Sequence, residues 1–125
     1  MKNIAIMASG SGTNAENIIR FFRTNPEINV QLILSNRKDA YVLQRAKAFN
    51  IDTLVFDRKQ FYERDDIIRL LVEKEIDLIV LAGFLWLIPE AFVKAFEGSI
   101  VNIHPALLPK YGGKGMYGMR VHEAV

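Results

Sequence analysis

The chain of 125 residues contains no cysteine. Disulfides, thiolate catalysis and cysteine-ligated metal are therefore excluded. Histidine is nearly as scarce. His104 and His122 stand without a third ligand at any recognisable metal spacing, so no metal is expected. Prolines number four, and there is no proline-rich tract, low-complexity segment, internal repeat or linker. No apolar run approaches the roughly 20 residues of a membrane span. The N-terminal stretch Met1-Lys2-Asn3-Ile4-Ala5-Ile6-Met7-Ala8 is apolar only over the length of a strand and lacks the longer apolar core of a secretory signal. A soluble cytoplasmic protein without a membrane role is the default expectation. Charge of one sign is lacking too. The 16 basic and 14 acidic residues leave a net charge of +2. They are interleaved, as in Arg58-Lys59 followed by Glu63-Arg64-Asp65-Asp66, so no stripe suited to nucleic acid is expected.

What is present is a regular alternation. Half of the residues are hydrophobic, enough for the core of one domain of ordinary size. Asn3 to Ala8 reads as a buried strand, and Ser9-Gly10-Ser11-Gly12-Thr13 as a tight loop. A helix is expected from about Asn14 to Arg23, with Ala15, Ile18, Ile19 and Phe22 on one face and Thr13 or Asn14 as N-cap. Val30 to Leu34 reads as the second strand, and Ala40 to Phe49 as a helix turning Leu43, Ala46 and Phe49 inward. Thr53 to Phe56 is a short third strand. One continuous helix is expected from Gln60 to Lys74, with Ile67, Ile68, Leu71 and Val72 inward. Asp77 to Ala82 is apolar after its first residue, as a central parallel strand should be. A helix from Pro89 to Phe96 and a fifth strand from Ile100 to Ile103 follow. Strands alternating with helices predict a doubly wound α/β fold with a mostly parallel sheet. Beyond it, Lys110 to Gly118 is rich in glycine, and a helical pattern starts near Met119 just before the chain stops. The chain is expected to be the front portion of a longer protein.

Three stretches carry chemistry. Gly10-Ser11-Gly12-Thr13-Asn14 lies between the first strand and the first helix, where backbone N–H groups and the helix dipole favour an anion. Ser11, Thr13 and Asn14 add side-chain donors, which favours a phosphate cradle over a turn that merely needs glycine. Through Ala15 the loop also fits Gly-x-Gly-x-x-Ala, the dinucleotide fingerprint. The acid that NAD requires after the second strand is absent, since Ser35-Asn36-Arg37-Lys38 stands there. Arg37 and Lys38 would suit the extra phosphate of NADP, so an NADP-dependent oxidoreductase remains an alternative. Leu85-Trp86-Leu87-Ile88 follows the central strand and forms a bulky apolar edge, either core or a seat for a flat heteroaromatic ring. Finally, Asn102 and His104 are two apart on a strand that Pro105 ends, and so share a face at its C-terminal end. They read either as an amide beside a titrating imidazole in a ligand site, or as a satisfied core histidine beside a turn-forming asparagine.

Taken together, Gly10-Ser11-Gly12-Thr13-Asn14, Leu81-Ala82-Gly83-Phe84 and Asn102-Ile103-His104-Pro105-Ala106-Leu107-Leu108-Pro109-Lys110-Tyr111 closely resemble the phosphoribosylglycinamide formyltransferases, the folate-dependent transformylases of purine synthesis. The Asn-Ile-His-Pro block marks the wider formyltransferase superfamily, and the N-terminal glycine loop points to the ribonucleotide enzyme within it. The resemblance runs in order along the whole chain and implies a Rossmann-like formyltransferase fold, truncated here after the fifth strand, with residues 1–125 as the N-terminal portion of a single formyltransferase domain.

The resemblance also implies an activity: formyl transfer from 10-formyltetrahydrofolate to the amine of glycinamide ribonucleotide. It implies Gly12, Thr13 and Asn14 on the ribonucleotide phosphate. Leu85, Trp86, Leu87, Ile88 and Asn102 would line the folate site, with backbone groups of the loop reading the ring edge. Arg58, or Lys59 in its place, would meet the glutamate end of the folate. Asn102 and His104 would be catalytic, stabilising the tetrahedral oxyanion and shuttling the proton, with no metal. Another enzyme using 10-formyltetrahydrofolate is the nearer alternative. The partners implied are these two small molecules, with no nucleic acid, in a monomer or homodimer. The family's catalytic Asp and a later acid of its ribonucleotide site fall beyond Val125. Gly112-Gly113-Lys114-Gly115-Met116-Tyr117-Gly118 replaces the family's shorter Pro-Gly turn.

Overall fold

A computed structural model describes residues 2–103. His104, the glycine-rich stretch from 110 to 118, His122 and the helical pattern from Met119 lie outside the described residues. Five strands form one parallel sheet: β1 (Lys2–Met7), β2 (Ile28–Ser35), β3 (Asp52–Val55), β4 (Leu78–Ala82) and β5 (Ile100–Ile103), in the spatial order β3-β2-β1-β4-β5. The helices are α1 (Thr13–Phe22), α2 (Val42–Ala48), α3 (Asp66–Glu73) and α4 (Glu90–Ala95). The expected doubly wound α/β architecture is thus the one observed.

Alternating strand residues feed two cores. Ile4, Ile6 and Ala8 of the first strand region join Ile33 and Val80 under α1 and α2, through Ala15, Ile19, Val42 and Ala46. Ala5 and Met7 join Leu32, Leu34, Ile79 and Leu81 on the other face, under Phe61, Ile67, Leu71 and Phe92. The period of two in the strands is therefore what divides the helices into two layers.

Three local expectations are corrected. The N-cap of α1 is Gly12, at φ +79°, rather than Thr13 or Asn14. The third helix is not continuous. A π-helical turn at Lys59–Glu63 comes first, Arg64 is extended at φ −127° and ψ 167°, and α3 begins at Asp66. Asp57 and Gln60 start the first piece by capping each other. The Asp57 N–H donates to Gln60 Oε1 at 2.9 Å, and the Gln60 N–H donates to Asp57 Oδ1 at 2.8 Å. The restart changes the helical phase, so Ile67 and Leu71 are buried while Val72, expected inward, is 61% exposed.

Candidate active site

The order of the strands fixes where a ligand can bind. From β1 the chain moves outward to β2 and β3, then returns to β4 on the other side of β1 and goes on to β5. The connections after β1 and β4 therefore leave in opposite directions, and a crevice opens between them at the C-terminal edge of the sheet. The glycine loop follows β1 and the Phe84–Ile88 segment follows β4, so the two stretches singled out in the sequence are neighbours there.

Ser9 joins them. Its side chain is 1% exposed. The Ser9 hydroxyl donates to Asn36 Oδ1 at 2.7 Å and accepts from the Leu85 N–H at 2.9 Å. The Ser9 N–H donates to the Gly83 carbonyl at 3.3 Å. One buried side chain thus ties the ends of β1, β2 and β4 together. It also occupies the Leu85 N–H, which is no longer free to read the edge of a ligand.

Gly12 is buried at the start of α1, and a Cβ added there would overlap the side chain and Cα of Val42. The contact is possible only for glycine, and so is the φ of +79° without strain. Thr13, the first residue of the helix, is exposed, and Asn14 is half-buried. The loop rests on α2 through two bonds: Val42 N–H donates to the Gly10 carbonyl at 3.2 Å, and Arg45 Nε donates to the Ser11 carbonyl at 2.6 Å. Arg45 Nη1 also meets Glu16 Oε1 at 2.6 Å, and Arg20 Nε meets Glu16 Oε2 at 2.9 Å. The Arg45 and Arg20 guanidinium groups hold the Glu16 carboxyl below the usual glutamate range.

On the other side of the crevice the apolar loop alternates. Phe84, Trp86 and Ile88 pack on the core under α3 and α4, whereas Leu85 and Leu87 stand 76% and 85% exposed. Tyr62 Oη donates to the Leu87 carbonyl at 2.6 Å. The Arg58 guanidinium lies 4.6 Å from the Trp86 ring centroid and 5.7 Å from that of Tyr62. Asn36, Lys38, Phe56, Asp57, Arg58 and Trp86 line a cleft of about 500 Å³ at this edge. Its aromatic wall suits a flat ring, and two cations against the one carboxylate of Asp57 leave it a net positive lining for an acidic tail. Lys59 is exposed and does not line it. Arg37, considered for a nucleotide phosphate, faces Asp39 at 3.3 Å.

Asn102 is half-buried near the end of β5, opposite Leu81 in the register. It shares the parity of Ile100, and hence the face of the sheet that carries α3 and α4. His104 lies outside the described residues, so its relation to Asn102 is not described. Among the described residues no group of three His, Asp or Glu side chains could hold a metal ion, and no helix is long and apolar enough to cross a membrane. Sequence reasoning passed over Ser9, Asn36 and Arg45. A serine ending an apolar strand is a faint signal for the first. Nothing along the chain connects Arg45 to a loop more than 30 residues earlier, where its bond to Ser11 spans 34.

These features place the chain among the α/β proteins whose parallel sheet opens a crevice at its topological switch point. Residues 2–125 match the formyl transferase family, and the chain belongs to it. The chain is 43% identical over 122 residues to the phosphoribosylglycinamide formyltransferase of Haemophilus influenzae, covering 94% of this chain and 58% of the relative. It is 34% identical over 130 residues to the enzyme of the same name from Bacillus subtilis, covering 100% of this chain and 67% of the relative. Among solved structures, phosphoribosylglycinamide formyltransferase from Brucella melitensis superposes with a TM-score of 0.78 at 35% identity, over 90% of this chain and 61% of that one. Glycinamide ribonucleotide transformylase 1 from Geobacillus kaustophilus does so with 0.77 at 38% identity, over 100% of this chain and 69% of that one. The chain thus spans about six tenths of the length of the Haemophilus relative.

Proposed function

We propose that this chain works in the transfer of a formyl group from 10-formyltetrahydrofolate to the amine of glycinamide ribonucleotide, a step of purine biosynthesis. The observation that carries the reading is the pairing of the two loops at one crevice. A glycine loop opening α1 stands beside an aromatic cleft edged by Arg58, and the buried Ser9 hydroxyl fixes one to the other. Two ligands that must react with each other need two such half-sites in contact. The names of the similar proteins support the same substrates.

In this reading the N–H groups of Gly12, Thr13 and Asn14 bind the ribonucleotide phosphate at the positive end of α1. The folate supplies the formyl carbon. Trp86 and Phe56 give the flat ring an apolar wall, Ile88 supports that wall from the core, and Arg58, which lines the cleft where Lys59 does not, faces the acidic tail. Leu85 and Leu87 supply the exposed rim over which the ring passes. Asn102 donates its amide N–H to the formyl oxygen as negative charge develops there. His104, when protonated, gives a second donor and carries the proton from the attacking amine toward the leaving nitrogen. No step calls for a metal.

The test is formyl transfer between the two substrates, with glycinamide ribonucleotide binding followed separately. Asn102→Ala should lower turnover by roughly 10²–10³ while ribonucleotide affinity is kept. An Asn102→Ala protein that turns over like the wild type removes Asn102 from the chemistry. A wild-type chain that neither binds the ribonucleotide nor transfers formyl sinks the whole reading.

A further inference from the structure

We infer that Arg45 is the positioning residue that orients the glycine loop, by holding the Ser11 carbonyl toward α2 so that the amide edge of the loop is left for a phosphate. The inference rests on the phosphate-binding reading of that loop given above.

Each of the three successive carbonyls in the loop has a partner. The Gly10 carbonyl accepts from the Val42 N–H at 3.2 Å, the Ser11 carbonyl from Arg45 Nε at 2.6 Å, and the Gly12 carbonyl from the Glu16 N–H at 2.8 Å. No described peptide bond is cis. In a trans peptide the C=O and the following N–H point in opposite directions. Holding the Gly10 and Ser11 carbonyls on the α2 side therefore turns the Ser11 and Gly12 N–H groups to the other side. A flip of the 11–12 peptide would exchange a donor for an acceptor at the anion site. Such a flip turns about ψ of Ser11 and φ of Gly12, and Gly12 has no Cβ to resist it on its side. The loop needs an outside lock, and Val42 N–H and Arg45 are the two groups that supply one.

An arginine suits the task for a second reason. Glu16 lies in the first turn of α1, near where the anion would sit, and its charge opposes binding. The planar fork of Arg45 meets Ser11 with one nitrogen and Glu16 with another, and both side chains are only 22% exposed. Lysine could hold one partner as a point charge but would not fix the angle between the two. The same guanidinium lies 4.9 Å from the Tyr41 ring centroid, which restrains it from the far side.

Titration of ribose 5-phosphate into ¹⁵N-labelled protein separates this role from simple buttressing. The wild-type chain should bind, with the Gly12 and Thr13 amide protons moving downfield. Arg45→Met should bind at least about tenfold more weakly, and its Gly12 amide should no longer respond. Lys94→Met removes the same charge from α4, where Lys94 pairs with Glu90, and should bind like the wild type. A loss in Lys94→Met equal to that in Arg45→Met would reduce the effect to net charge and overturn the inference. So would a folded Arg45→Met protein with wild-type affinity and a responding Gly12 amide, and that result would leave the phosphate-binding reading standing. If Arg45→Met does not fold, Arg45→Lys decides. Weaker binding in Arg45→Lys supports the orienting role, and unchanged binding overturns it. If the wild-type chain does not bind ribose 5-phosphate, the phosphate-binding reading fails and the inference falls with it.

Discussion

Gly12 carries two constraints at once: a backbone φ of +79° and contact with Val42 where a Cβ would stand. Either alone disfavours another residue, and together they leave no relaxed alternative, because Val42 is itself buried in the core. Gly12→Ala should cost about 1–3 kcal/mol of stability in urea unfolding and should abolish binding of a phosphate ligand. Ser9 is constrained in another way. Removing its hydroxyl leaves the Leu85 N–H and Asn36 Oδ1 without their partner in a part-buried place. Ser9→Ala should therefore cost about 1–3 kcal/mol. The chain has one tryptophan, Trp86, in the loop that Ser9 anchors. The emission of the folded variant should shift, and unchanged stability and emission would show that Ser9 anchors nothing. At this scale the sequence was legible where a residue type is rare in its setting, as with the glycine that the turn before α1 requires. It carried a faint signal for Ser9 and none for Arg45, whose partners are distant along the chain.

The helices α1 and α2 are held together on one face of the sheet by Arg45, Glu16 and the loop they share. Arg45 and Arg20 lower the Glu16 pKa, so the folded state binds a proton there less readily than the unfolded chain does. The stabilisation is present above the ordinary glutamate range and is lost as pH falls through the lowered value. Urea midpoints measured from pH about 7 down to about 3 should fall along this limb, and Glu16→Gln should flatten it. An unchanged acid limb in Glu16→Gln would mean that other carboxyls set it. The strands were the most readable elements, since a run of apolar residues closed by polar ones has few other uses in an α/β chain. The third helix was misread as continuous. The Asp57–Gln60 pair stands at its head and the Asp65-Asp66 pair lies within it, and periodicity alone does not show that a chain restarts between them.

Over the whole molecule, the sheet separates two cores that share a backbone but few side chains. In the proposed reading the ribonucleotide would bind over the core under α1 and α2, and the folate over the core under α3 and α4. The sequence pattern gave this layering, because alternation in buried strands and the order of helices follow from the hydrophobic period. It could not give the order of the strands, and so could not say that the loops after β1 and β4 are neighbours, which decides where the site is. The separation has a measurable consequence. Ile19 is buried in the first core and Leu71 in the second. Ile19→Val should cost about 0.5–1.5 kcal/mol and Leu71→Ala about 2–5 kcal/mol. Because the sheet lies between them, the double variant should lose the sum of the two within about 0.5 kcal/mol. Each should also weaken mainly the ligand on its own side, ribose 5-phosphate for Ile19→Val and the folate for Leu71→Ala. A coupling well above that margin, or a loss of both ligands in each single variant, would mean that strain crosses the sheet and that the two half-sites are one mechanical unit.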